Sequence, residues 1–207
     1  MGVTEEWNLL MSALAERGSA DALTFLPPAV TEEVAQAEAA TTVWPDQLRE
    51  FYSLHNGQDP DVERFYGELL PAVCFFRVDL VVEEYVELVE HGQSEMEDDA
   101  SIADMNAGSE AGAGSYVFLP QYVPLAGTDG EYYCLDIRPG EQSGCVRRWS
   151  TEGGDLPPSF ASIADMLAAV RQSITTNTVL EEVWMPSFMD DADHPEDRGA
   201  LTWVIPD

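Results

Sequence analysis

The chain has 207 residues and a formal net charge of −30, from 39 acidic and 9 basic residues. With 45% hydrophobic residues, it can bury the core of one domain of ordinary size. A field of this sign repels nucleic acid and anionic lipid and attracts basic proteins or cations, so we expect neither a nucleic-acid nor a membrane partner.

The cysteines and the N-terminus indicate an intracellular setting. Cys74, Cys134 and Cys145 are widely spaced and form no CxxC motif, so we expect reduced thiols rather than a disulfide framework. The sequence MGVTEEWNLL lacks the basic and apolar regions of a secretory signal, and no apolar run is long enough to span a bilayer. The predicted location is therefore cytoplasmic.

Helical spacing of apolar residues dominates the first half of the chain. It predicts helices over 4–17, 31–40, part of 44–57, and 79–90, with a buried segment near 69–76. His91 and Gly92 are predicted to end the last of these helices. Residues 93–114 then become acidic and glycine-rich, which predicts a long, partly disordered loop.

A run of short strands follows. Segments 116–119, 122–126, 131–137 and 145–149 are rich in aromatic and β-branched residues, and 127–130 is a hairpin signal. Within 131–137, Tyr132, Cys134 and Asp136 alternate with residues of the opposite face. Consecutive strands with short turns predict an antiparallel meander, in which Trp149 belongs to the core.

Residues 151–207 are predicted to contain a linker, a helix and two short strands. Residues 151–158 are interpreted as a linker, and Ser159 as the cap of a helix that extends to 174. Segments 179–185 and 200–205 suggest a terminal hairpin. The predicted fold is α+β: a single domain with a twisted, mainly antiparallel sheet and helices packed on one side.

No catalytic constellation emerges from the residues. The nucleophile elbow, the Walker motif and the dinucleotide glycine fingerprint are all missing. The acidic loop around 190–197 is dense in oxygen ligands, but it lacks the alternate order of an EF-hand. We therefore expect no catalytic residue, metal or cofactor. His55 at a helix end is interpreted as a structural contact, with a functional role left open.

Two stretches resemble a known family. The segment VPLAGTDGEYYCLDIRPGEQSGCVRRW is similar to the central signature of the SUKH superfamily, which includes fungal cell-wall-assembly regulators and bacterial toxin-immunity proteins. The segment WPDQLREFYSLHNG resembles the N-terminal motif of the same family, and the similarity extends over about 28–174. One departure is that Glu131 follows Gly130 where the family has a run of glycines.

The resemblance implies an immunity-type binding protein that neutralises a cognate toxin domain by occlusion. Many such toxins are nucleases with basic faces, which an acidic inhibitor complements. The alternatives are a regulatory protein-interaction scaffold and a metal-dependent hydrolase. The candidate contacts are acids on predicted loops and two apolar anchors: Glu95, Glu97, Asp98, Asp99, Asp129, Glu131, Trp184, Phe188, Asp190, Asp191 and Asp193.

Overall fold

The computed structural model describes residues 1–17, 25–59, 68–190 and 198–206. Within them the helices are α1 (Val3–Arg17), α2 (Thr31–Ala40), α3 (Asp46–Tyr52), α4 (Val78–Asp98), α5 (Ala100–Asn106) and α6 (Ile163–Thr176). The strands are β1 (Cys74–Phe75), β2 (Tyr122–Thr128), β3 (Glu131–Asp136), β4 (Cys145–Ser150), β5 (Gly154–Phe160), β6 (Met185–Phe188) and β7 (Leu201–Val204). The predicted α+β, single-domain architecture is confirmed.

The main sheet has five strands in the order β1-β2-β3-β4-β5, and every neighbouring pair is antiparallel. The β2–β3 hairpin turns through Asp129 and Gly130, whose φ angles of 47° and 85° are both positive. A two-residue turn of type I′ requires this backbone, which Asp tolerates and Gly adopts freely. The hairpin predicted from the sequence is therefore confirmed.

Alternation along the strands gives the sheet two covered faces. On one face Leu135 and Val146 join a large cluster with α1, α3 and α6. On the other face Cys134 and Trp149 join a smaller cluster with α4 and residues 117–119. The core therefore lies on both sides of β3 and β4, with α4 contributing to both clusters.

The segment predicted as a loop over 93–114 is largely helical, so that prediction was wrong for its first half. Helix α4 continues through Gly92 to Asp98, and α5 begins immediately after Asp99. A Cβ on Gly92 would lie 2.4 Å from the carbonyl oxygen of Phe118, so glycine serves close packing here and does not end the helix. The Asp99 side chain accepts from the N–H of Ser101 at 2.9 Å and caps α5.

Three other boundaries differ from the sequence prediction. Residues 116–119 form no strand. Val117 and Phe118 are nevertheless buried, since they pack against side chains of α4. The predicted linker over 151–158 forms most of β5 at the edge of the sheet. Ser162, rather than Ser159, caps α6 by accepting from the N–H of Asp165 at 3.1 Å.

A terminal hairpin is present as β6 and β7, which form their own two-stranded sheet, but its first strand lies at Met185–Phe188 and not at the predicted 179–185. Leu201 and Trp203 bury their side chains in the large core cluster. The indole N–H of Trp203 also donates to the carbonyl oxygen of Glu68 at 3.2 Å. The extension is thus part of the folded domain, although it does not lengthen the main sheet.

Candidate partner-binding surface

His55, Asn56 and Gly57 follow α3 in the chain and lie against the segment that leads into α4. The His55 ring is 1% exposed and stacks on Trp7 with ring centroids 4.4 Å apart. Its Nδ1 accepts from the N–H of Gly57 at 3.0 Å, and burial lowers the pKa of His55 to about 3. A neutral ring sealed among aromatic side chains fits the structural interpretation of His55.

Asn56 and Gly57 position α4. The Oδ1 atom of Asn56 accepts from the N–H of Val78 at 2.9 Å and satisfies a donor at the N-terminus of α4. Gly57 has a φ of +70°, and a Cβ there would lie 2.3 Å from the carbonyl oxygen of Phe76. These contacts fix the position at which α4 starts.

A buried ion cluster lies on the second face of the sheet. The Asp136 carboxylate contacts Arg138 Nη2 at 2.7 Å and Arg147 Nη1 at 2.9 Å, with all three side chains almost fully buried. Both guanidinium carbons lie over the ring of Tyr122, at 5.1 and 5.3 Å from its centroid. Burial raises the pKa of Asp136, but hydrogen bonds from Arg138 and the Gly112 N–H outweigh it and lower the pKa overall.

This ion cluster also holds the segment that follows α5. Asp136 Oδ2 accepts from the N–H of Gly112 at 2.9 Å, and Arg138 Nη1 donates to Ser109 Oγ at 2.7 Å. The carbonyl oxygen of Ala113 accepts from Arg138 and from Arg147, at 2.7 and 3.0 Å. With Asp99 as a cap at one end and these contacts at the other, α5 is held at both ends.

Helix α4 carries an extended acidic surface. We define the acidic face of α4 as six exposed acids of this helix: Asp79, Glu83, Glu87, Glu90, Glu97 and Asp98. Between residues 78 and 106 the sequence contains no lysine or arginine. Acids near a helix C-terminus oppose the helix dipole, and like charges one turn apart repel. This arrangement lowers the helix's own stability and concentrates negative potential along one line.

The first predicted cluster lies on or next to this face. Glu97, Asp98 and Asp99 are exposed, whereas Glu95 is half-buried and pairs with His91 Nε2 at 3.4 Å. Hydrogen bonds from Ser101 lower the pKa of the Asp99 carboxyl. These predicted contact residues therefore sit on helices and a helix junction, and not on a loop.

The second predicted cluster lies at the β2–β3 hairpin. Asp129 is exposed at the tip, and Glu131 pairs with Arg148 at 3.4 Å. The Arg148 guanidinium lies over the Tyr133 ring, and the Tyr133 hydroxyl donates to Glu181. Burial, followed by the charge of Glu181, raises the pKa of Tyr133.

The hairpin contacts bring the second predicted cluster beside the chain's C-terminal extension. Arg148 and Glu181 were missed at the level of sequence because no local motif connects them to the hairpin. The adjacent residues Glu181 and Glu182 both have positive φ angles, of 49° and 65°. This backbone is uncommon for residues with a Cβ, and here it aims Glu181 at the sheet.

The third predicted cluster lies in the C-terminal extension. Trp184 and Phe188 are half-buried and pack against the large core cluster, so most of each side chain contributes to the fold. Asp190 is exposed and pairs with Arg198 at 3.3 Å. Asp191 and Asp193 lie outside the described residues.

The described side chains offer little support for chemistry. Across the described parts of the chain, no group of three or more His, Cys, Asp or Glu residues is placed to hold a metal ion. All three cysteines are free thiols. Burial and the nearby Glu68 raise the pKa of Cys74 to about 11, and burial likewise raises that of Cys145. Such thiols stay protonated and are poor nucleophiles.

These features define an α+β domain that presents exposed acidic side chains on α4, at the helix junction and at the β2–β3 hairpin. The chain belongs to the SMI1 / KNR4 family (SUKH-1), whose model matches residues 28–169. This finding confirms the resemblance seen in the two sequence motifs. No curated protein matches the chain. In the part of the chain that the structure describes, no helix is both long and apolar enough to cross a membrane.

Proposed function

We propose that this protein is an immunity-type inhibitor that binds a basic toxin domain and occludes it without performing chemistry. The observation that carries the proposal is the acidic face of α4, a row of exposed carboxylates in a stretch, residues 78–106, that contains no lysine or arginine. Family membership supports a binding role of this kind.

The chemistry of the partner follows from the charge. A nuclease presents basic side chains to phosphates, and an acidic row can replace those phosphates at the same surface. The α4 helix has 21 residues, which corresponds to about 30 Å of length at 1.5 Å per residue. Such a row engages several basic side chains at once and accelerates encounter through long-range attraction.

The test uses a basic toxin domain that is captured with this protein in a pull-down from its native host and identified by mass spectrometry. Association is followed by stopped-flow fluorescence at low and high salt, with toxin activity measured in parallel. We expect fast association that slows steeply with ionic strength, and loss of toxin activity at one-to-one stoichiometry. The triple variant Glu83→Gln, Glu87→Gln, Glu90→Gln should associate at least tenfold more slowly at low salt.

A control with the same change in net charge separates local from overall charge. The variant Glu5→Gln, Glu16→Gln, Glu152→Gln removes three exposed acids that lie on α1 and in the β4–β5 turn. It should change the association rate much less than the α4 variant. Equal slowing of association by the two triple variants would assign the effect to net charge and overturn the α4 assignment. Tight binding that leaves the partner active would instead favour a regulatory scaffold.

A further inference from the structure

A groove of about 580 Å³ runs between α2 and the first turns of α4. Its floor includes Ala37 and Val78, which are 3% and 4% exposed. Ala40 lines it from the end of α2, and Asn56 lines it where the Asn56 side chain caps α4. The small side chains of α2 leave this space open, and its size lies within the range of ligand sites.

The charges around the groove determine whether it attracts a cation or an anion. Glu33 stands on the α2 side, and Asp79 and Glu83 stand on the α4 side. Arg77 also lines the groove, but its Nε and Nη2 atoms each donate to the Asp79 carboxylate at 3.1 Å, so the two charges offset each other. The remaining rim is negative on both helices, so it repels anions and attracts a cation.

Glu83 is the rim acid with the most freedom to accept a partner. Within the described residues the Glu83 side chain makes no hydrogen bond or ion pair. The Glu33 side chain, in contrast, uses Oε2 to accept from the N–H of Val30 at 3.1 Å. Glu83 also belongs to the acidic face of α4, so the groove opens directly from that face. The positive end of α4 is already offset by Asp79 in the first turn.

We propose that the groove between α2 and α4 is an anchoring subsite that takes an arginine side chain from a loop of the basic partner. The arginine stem lies on the apolar floor and its planar guanidinium reaches Glu83 and Glu33, a geometry that favours arginine over lysine. This inference rests on the proposed function, since it names the part of the partner that the acidic face receives.

The first experiment tests the groove with a defined probe. Acetyl-Gly-Arg-Gly-amide is titrated into the ¹⁵N-labelled full chain at low salt, beside the citrulline peptide, which has nearly the same shape and no charge. We expect saturable shifts at the amides of Ala37, Ala40 and Val82 and at the Asn56 side-chain amide. The citrulline peptide should bind at least about tenfold more weakly.

Two variants test the position of the probe. Ala40→Trp fills the groove from an exposed position and should abolish the saturable shifts, with the rest of the spectrum unchanged. Glu83→Gln should weaken arginine-peptide binding about fivefold or more, whereas Glu16→Gln on α1 should leave it unchanged. Shifts that spread along α4 without saturating in the groove, or binding that survives Ala40→Trp, would overturn the inference.

The toxin-domain assay distinguishes failure of this inference from failure of the proposed function. If the groove anchors the partner, Ala40→Trp raises the dissociation rate at least about tenfold with little effect on the association rate. An unchanged dissociation rate, with toxin still inhibited, rejects the groove and leaves the proposed function standing. A toxin domain that binds neither the wild type nor the Ala40→Trp variant rejects the proposed function. The peptide titration then tests by itself whether the groove binds arginine.

Discussion

Asp136 and Arg147 meet on the second face of the sheet because β3 and β4 pair with Asp136 opposite Cys145 and Arg147 opposite Cys134. The two side chains are therefore diagonal neighbours on one face, 2.9 Å apart and both 0% exposed. A buried ion pair of this kind need not add stability over an apolar pair, but removing Arg147 leaves buried oxygen atoms with fewer hydrogen-bond donors.

Arg147→Met should destabilise the protein, because Asp136 would keep Arg138 as its cation but lose one hydrogen bond, and the carbonyl oxygen of Leu156 would lose its donor from Arg147. We expect a loss of about 2–3 kcal/mol in the free energy of unfolding, measured by urea denaturation. The control is Arg198→Met, which removes a pair whose side chains are 67% and 85% exposed and should cost less than about 1 kcal/mol. Equal losses for the two variants would show that the buried pair is replaceable.

His55 predicts a distinct pH dependence of stability. Its pKa is about 3 in the folded state and about 6.5 when unfolded, so the unfolded state binds more protons between these values. The His55 contribution is fully present above about pH 6.5 and is lost as the pH falls toward 3. In urea titrations between about pH 6 and pH 4, His55→Phe should flatten the decline relative to the wild type.

The level of stability and its slope with pH must be separated in that experiment. His55→Phe also removes the acceptor for the Gly57 N–H, which lowers stability by a similar amount at each pH. Parallel curves for wild type and variant would contradict the buried, neutral state of the ring.

The cap that Asn56 provides for α4 should be measurable. Asn56→Ala removes the acceptor for the Val78 N–H and should cost about 1 kcal/mol, observed as a lower Tm. Asn56→Asp keeps an oxygen acceptor at the same place and adds a charge that suits a helix N-terminus, so it should restore most of that loss. A loss as large for Asp as for Ala would assign the role to the Asn56 nitrogen instead.

Trp149 should be among the costliest side chains to truncate. It is 3% exposed and packs edge-on against Phe118, with ring centroids 5.4 Å apart. Trp149→Ala should lower the free energy of unfolding by about 3–5 kcal/mol. Tyr116→Ala, at a side chain that is 70% exposed, should cost less than about 0.5 kcal/mol in the same denaturation assay. An unchanged Tm for Trp149→Ala would place that side chain at the surface.

The acids at the C-terminal end of α4 should lower the stability of the folded protein. Glu97→Gln with Asp98→Asn should raise the free energy of unfolding by a few tenths of a kcal/mol per residue, because both charges oppose the helix dipole. Asp79→Asn, in the first turn, should lower it. The difference should shrink at high salt in thermal unfolding. A stabilising effect of all three changes would implicate net charge and not the dipole.

The meander could be predicted because its signals are local. Asp129 and Gly130 tolerate the turn, and alternation around Cys134 assigns the faces of β3. The end of α4 could not be predicted because the reason for Gly92 lies in the carbonyl of Phe118, which is distant in sequence. Composition alone made the acidic stretch resemble a disordered segment.

The candidate site, too, could be predicted from the sequence only where its residues lie in one local segment. The acidic residues of α4 were visible in the sequence, and their placement on one helix explains why they act together. The partners of Asp136 and Glu131 depend on strand register, and the groove depends on how α2 lies beside α4. No periodicity within one segment encodes these relationships.

Helix α5 is held in place by contacts at its two ends and not by burial of its own side chains. The Asp99 cap precedes the helix, the Ser109 contact follows it, and α5 itself has no buried residue. Substitutions on its outward positions therefore leave the sheet, the ion cluster and the core untouched. The outward positions of this short helix can therefore change in sequence while the fold of the domain that carries it remains the same.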